Sequence, residues 1–136
     1  MTRISATWDD AESWLIAASA GFTDATVRNI KPAGPGPFIV LRVDPGARVT
    51  PVSRTLRLGI SAWVVSDAGE SMLPEARQLA LEYGAWLEEL LNTPATSGPF
   101  LDGEVDSGPV RVADPDTGLT FAYLTFWCTQ HVKRAK

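Results

Sequence analysis

Three groupings in this 136-residue chain have residue types and spacings that chemistry could use. Cys128 and His131 could act as a nucleophile and its base. Three apart on a strand, however, their side chains leave on opposite faces and cannot share a proton, so they read as a small buried thiol and a strand-end imidazole. Asp114 and Asp116, with Gly118, look like the opening of a calcium loop. Such a loop needs glycine at its sixth position and glutamate at its twelfth. Here the glycine comes fifth and Thr125 stands twelfth, and Pro115 suits a tight turn better. Asp102, Glu104 and Asp106 alternate, so on a strand they would share one face and could hold a hard cation. The same spacing makes the charged, solvated face of an edge strand, which is the reading adopted. No catalytic residue, metal ligand or cofactor is expected.

Binding chemistry has more to work with. Arg42, Arg48, Arg54 and Arg57 cluster around two strand candidates. A phosphate patch would want aromatic stacking partners beside them, and Trp63 is nearly alone in that role. A protein–protein contact built on arginine and tryptophan fits better. Gly34-Pro35-Gly36-Pro37 places prolines where a phosphate loop needs N–H donors, so no nucleotide fingerprint is present. Lys133, Arg134 and Lys136 form a short basic tail.

The elements that must position these residues follow from periodicity. Ile4, Trp8, Ala11, Leu15, Ala18 and Phe22 recur at helical spacing, with Thr7 and Asp10 as a capping pair and Gly21 as the stop; alternatively the helix begins only at Trp8. Residues 26–30 read as a short strand, and the proline-rich 32–37 as an exposed connection. A buried strand is expected over 38–43, followed by a turn at Asp44-Pro45-Gly46-Ala47-Arg48. Residues 54–65 show strict alternation, with Leu56, Leu58, Ile60, Ala62 and Val64 opposite Arg57, Gly59, Ser61 and Trp63. A long helix is predicted over 70–91, starting near Met72 because Pro74 belongs in a first turn. Two short strands, 100–105 and 110–113, flank a turn at 106–109. After a second turn at 114–118, a final strand places Ala122, Leu124, Phe126 and Cys128 opposite Phe121, Tyr123 and Trp127.

The order helix, strands, helix, strands predicts one α+β domain over residues 1–136. Two helices are expected on one face of a mixed, largely antiparallel sheet of four to five strands. The composition agrees: 45% hydrophobic, 21% charged and a net charge of −4 from 12 basic and 16 acidic residues. That balance argues against disorder and against a large nucleic-acid footprint. A single cysteine excludes an internal disulfide. There is no apolar run of membrane-spanning length, and the first residues lack the pattern of a signal peptide. Five tryptophans are many for this length. If the helices cover one sheet face only, Trp63 and Trp127 need another cover, which suggests an oligomer interface.

In order and texture the chain resembles the small tail terminator proteins of long-tailed phages, the minor tail protein U-like family, especially those of phages infecting actinobacteria. The resemblance runs from Asp10-Ala11-Glu12 through Phe38-Ile39-Val40-Leu41-Arg42-Val43 and Arg57-Leu58-Gly59-Ile60-Ser61-Ala62-Trp63. It continues through a helix carrying Ala76, Leu79 and Ala80 to Ser107-Gly108-Pro109-Val110 and Asp114-Pro115-Asp116-Thr117-Gly118. Relatives often follow that glycine with a Pro-Arg-Tyr-like segment, whereas this chain has Leu119-Thr120-Phe121. The resemblance implies a virion protein without a substrate. Its ring, usually six-fold, would cap the head-proximal end of the tail tube, contacting itself, the major tail tube protein and the head–tail connector. Arg48, Arg54, Arg57 and Trp63 are then expected at subunit or tube contacts, with Asp114 and Asp116 as arginine partners across the ring. A head-completion or neck protein and a small metal-dependent α+β enzyme using Asp102, Glu104 and Asp106 are the alternatives. No membrane, small-molecule or sequence-specific nucleic-acid partner is expected.

Overall fold

The computed structural model describes residues 8–31 and 33–132, and only the backbone at Pro45, Ala47 and Arg48. Ile4, Thr7 and the basic tail lie outside the described residues. Helix α1 (Ala11–Ala18) continues into one 3₁₀ turn, Ser19–Gly21. Strands β1 (Thr26–Arg28), β2 (Gly36–Val49) and β3 (Ser53–Val65) follow. Helix α2 (Leu73–Asn92) precedes the terminal pair β4 (Phe100–Ala113) and β5 (Thr120–His131). The five strands form one sheet in the order β1-β2-β3-β5-β4, parallel between β1 and β2 and antiparallel elsewhere. This is the α+β arrangement that the sequence predicts.

The helices start where side-chain chemistry dictates. Asp10 is extended, and its carboxylate accepts from the Ser13 N–H at 3.1 Å and the Ser13 hydroxyl at 2.9 Å. Asp10 is therefore the cap itself, with Ser13 as its partner. In α2, Pro74 sits in the first turn, where no N–H is missed, and Ala76, Leu79, Ala80, Tyr83, Leu87 and Leu91 form the buried stripe. The stripe packs on Leu56, Leu58, Ile60, Ala122, Leu124 and Phe126, the alternate residues of the two central strands. Burial pushes the Tyr83 phenol up to about 12. Its hydroxyl meets Ser19 Oγ at 2.8 Å and so joins the end of α1 to α2.

Two expected turns are absorbed into strands. Residues 44–48 do not reverse the chain: β2 continues to Val49, and the extra residues form a bulge between the pairs Pro45–Leu56 and Val49–Arg54. The reversal comes at 50–52. There Thr50 N–H donates to Ser53 O at 2.7 Å, and Thr50 Oγ1 accepts from Ser53 N–H at 2.9 Å. Likewise 106–109 is no hairpin turn, since β4 runs unbroken for 14 residues along β5. Three register shifts absorb its surplus residues. Gly108, at φ +100°, makes the last of them possible. In both places a long neighbouring strand supplies continuous hydrogen-bond partners, and ladder formation outweighs the local turn preference.

Candidate binding face

Both helices lie on one side, so the odd-numbered residues of β3 and β5 face away from them. Cross-strand pairing arranges that open face in rows. Phe38, Trp63 and Phe121 stand at one end. Val40, Ser61, Tyr123 and Val110 come next, then Arg42, Gly59, Thr125 and Ser107. Asp44, Arg57, Trp127 and Glu104 follow, with Thr55, Thr129 and Asp102 at the far end. Gly59 leaves room for the Tyr123 hydroxyl, which lies over it. A cleft of about 590 Å³ is lined by Lys31, Arg42, Trp63, Phe121 and Tyr123 among others. A second, of about 500 Å³, is lined by Thr55, Asp102, Glu104, Trp127 and Thr129 among others.

The residues singled out in the sequence do not all reach this face. Arg57 does, exposed and without an ion pair among the described residues. Arg42 joins it. Arg54 is even-numbered and falls on the helix side, where its Nε donates to Gln130 Oε1 at 2.8 Å and its guanidinium covers the Trp8 ring at 4.7 Å. Gln130, fully buried, donates in turn to Asp9 O at 2.8 Å. Arg54 thus anchors the segment before α1 and is not a free contact residue. Arg48 contributes backbone to the β2 bulge, and its side chain is outside the described set.

Trp63 has the predicted facing but not the expected exposure. It is 3% accessible, stacked on Phe121 with ring centroids 4.3 Å apart, and its Nε1 has no hydrogen-bond partner among the described residues. It is core, and the neighbouring aromatic row is the cover it needed. Asp114 and Asp116 are likewise occupied within the chain. Lys31 Nζ stands 2.8 Å from Asp114 and 3.0 Å from Asp116. The Thr117 hydroxyl donates to Asp114 Oδ2 at 2.6 Å. The Lys31 and Thr117 hydrogen bonds hold the Asp114 carboxyl below its usual value. Asp114 is therefore buried and already paired within the chain, not free as the expected arginine partner.

The candidate chemistry does not converge on one point. Cys128 is buried on the helix side, and burial pushes its thiol up to about 12. Asp102 and Glu104 lie on the open face, and Asp106, at a register shift, reaches the same face, where it accepts from the Thr125 hydroxyl at 3.1 Å. Among the described residues no three His, Cys, Asp or Glu side chains converge as metal ligands would. No described helix is long and apolar enough to cross a membrane.

Sequence reasoning missed how the sheet edges are treated. Beyond the end of β1, the free N–H of Val43 on β2 donates to Glu12 Oε1 at 3.3 Å, and Asn29 holds the other carboxylate oxygen at 3.3 Å. At the opposite edge, Asn92 Nδ2 donates to Gly103 O at 2.6 Å, and Gly103 N–H returns a longer bond of 3.4 Å to Asn92 Oδ1. A helix side chain thus occupies backbone groups on each edge, and bulges interrupt both β2 and β4. Such features oppose strand addition. Neither a glutamate inside a first turn nor an asparagine at a helix end announces this role in the sequence. No protein-family model matches the chain, and no curated protein matches it.

Proposed function

We propose that this protein is a structural component of a phage virion: a ring-forming cap at the head-proximal end of the tail tube, joining tail to head. In this reading it carries out no reaction. Its partners are other copies of itself, the major tail tube protein and the head–tail connector. One observation carries most weight beyond the sequence resemblance. The sheet presents a broad open face of arginines, carboxylates and partly exposed aromatics, while its two edges are blunted by Glu12, Asn92 and bulges. A protein of this build meets partners through a face, which is what capping a tube requires. Arg57 and Trp127, central on that face, are the contact residues this reading favours.

Electron microscopy of particles made with the reading frame interrupted tests the proposal. Tails of uncontrolled length, or finished tails that never join heads, are expected. Normal tails beside leaking heads would move the protein to the head side of the joint. Fully normal particles would remove it from the virion.

A further inference from the structure

Arg57, Trp127 and Glu104 form one row across the open face, perpendicular to the strands. Arg57 pairs with Trp127 on β5, and Trp127 pairs with Glu104 on β4. Adjacent strands lie ~4.8 Å apart, so the arginine and the glutamate stand at equal distances on either side of the tryptophan. A row reading positive, aromatic, negative, with the aromatic at its midpoint, is its own complement under a two-fold axis. Half a turn about an axis parallel to β5 and above Trp127 sets Arg57 of each copy over Glu104 of the other. The two indoles then meet at the centre.

We propose that the open face of the free protein is covered by a second copy of the same chain, packed face to face about this axis. Arg57 and Glu104 are both exposed, and neither has an ion pair among the described residues, although Asp44 lies beside Arg57 on β2. The cleft beside Trp127 is lined by Asp102 and Glu104, and so offers an incoming guanidinium two carboxylates and an indole. Face-to-face packing of aligned sheets needs only a small rotation to accommodate their twist. The three strands β3, β5 and β4 supply about 14 Å by 34 Å of shared face, on the order of 1,000 Å² over both copies. That is the lower end of a specific interface, and it predicts a reversible dimer that tightens with concentration. The proposal goes beyond the tube-cap reading and does not depend on it. Where both hold, the pairing covers the tube-facing surface until assembly displaces it.

Sedimentation equilibrium on the full chain tests the pairing. A monomer–dimer equilibrium is expected, with Arg57→Glu and Glu104→Arg each weakening it by about tenfold or more, because each sets like charges together. The double variant, Arg57→Glu with Glu104→Arg, restores attraction and should return the dimer. Both positions are exposed, so circular dichroism should show an unchanged fold in every variant. A wild-type chain that stays monomeric at high micromolar concentration overturns the proposal. So does a dimer indifferent to either reversal, or a double variant no better than the singles. None of these outcomes bears on tail length in particles, so the two proposals fail separately.

Discussion

Lys31 Nζ lies 2.8 Å from Asp114 Oδ1, an ion pair between residues 83 apart in sequence. It ties the connection after β1 to the turn between β4 and β5, and so links the two ends of the sheet order beside the larger cleft. Asp116 holds the same ammonium at 3.0 Å, and Thr117 fixes Asp114 from its other side.

This pair gives stability a defined pH window. The Asp114 carboxyl is held below 3.8, first by Lys31 and then by Thr117, so its contribution is present above that value and lost as pH falls through the lowered one. Lys31 is held above 10.5, first by Asp114, so its contribution is present below that value and lost as pH rises through the raised one. Urea midpoints of wild type and Asp114→Asn should therefore differ by a constant amount between about pH 5 and 9 and converge in acid. A difference that persists unchanged at pH 2 would show that the effect does not depend on the Asp114 charge.

Trp63 should behave as a core residue. Trp63→Ala removes a ring that is 3% exposed and stacked on Phe121, and should cost about 3–5 kcal/mol of folding stability. Trp63→Phe keeps an aromatic against Phe121 and discards an Nε1–H that has no partner among the described residues, so loss of volume and relief of desolvation should offset to within about 1 kcal/mol. Denaturant titrations decide. A Trp63→Ala protein of wild-type stability would show that this indole belongs to a surface.

Gly103 marks a close approach between β4 and the core side chains Phe126 and Leu91. A Cβ there would stand 2.6 Å from Phe126 Cε1 and 2.8 Å from Leu91 Cδ1. Gly103→Ala should cost about 1–3 kcal/mol through displaced core side chains. It should also loosen the Asn92 clasp, which hydrogen exchange of the Gly103 amide would register as faster opening. A neutral effect on both would mean that the strand shifts outward freely.

The Cys128 thiol should be unreactive in the folded protein. Burial foremost, with the Asp102 charge adding and the Arg54 charge opposing, raises it to about 12, and Sγ is enclosed at 3.9 Å from Leu56 O. At mildly alkaline pH, labelling by a thiol reagent should follow the unfolding equilibrium and accelerate across the urea transition. Prompt labelling in native buffer would contradict this burial.

The residues themselves decided which face of each element is apolar. Alternation in β3 and β5 and the stripe of α2 are local patterns, set by the fixed periods of strand and helix. They suffice for the layer arrangement, for the opposite facing of Cys128 and His131, and for the outward facing of Arg57 and Trp127. What only the tertiary structure decided is what meets what. The turn signals at 44–48 and 106–109 yielded to long partner strands that satisfied their backbones. Trp63 became buried because Phe121 lies beside it, and Arg54 became internal because Gln130 and Trp8 converge on it. Glu12 and Asn92 became edge guards, and Asp114 found Lys31, through contacts between residues 11 to 83 positions apart. Periodicity is a property of neighbours in sequence. Pairing is a property of neighbours in space, and it depends on strand order and bulges that no short stretch of this chain encodes.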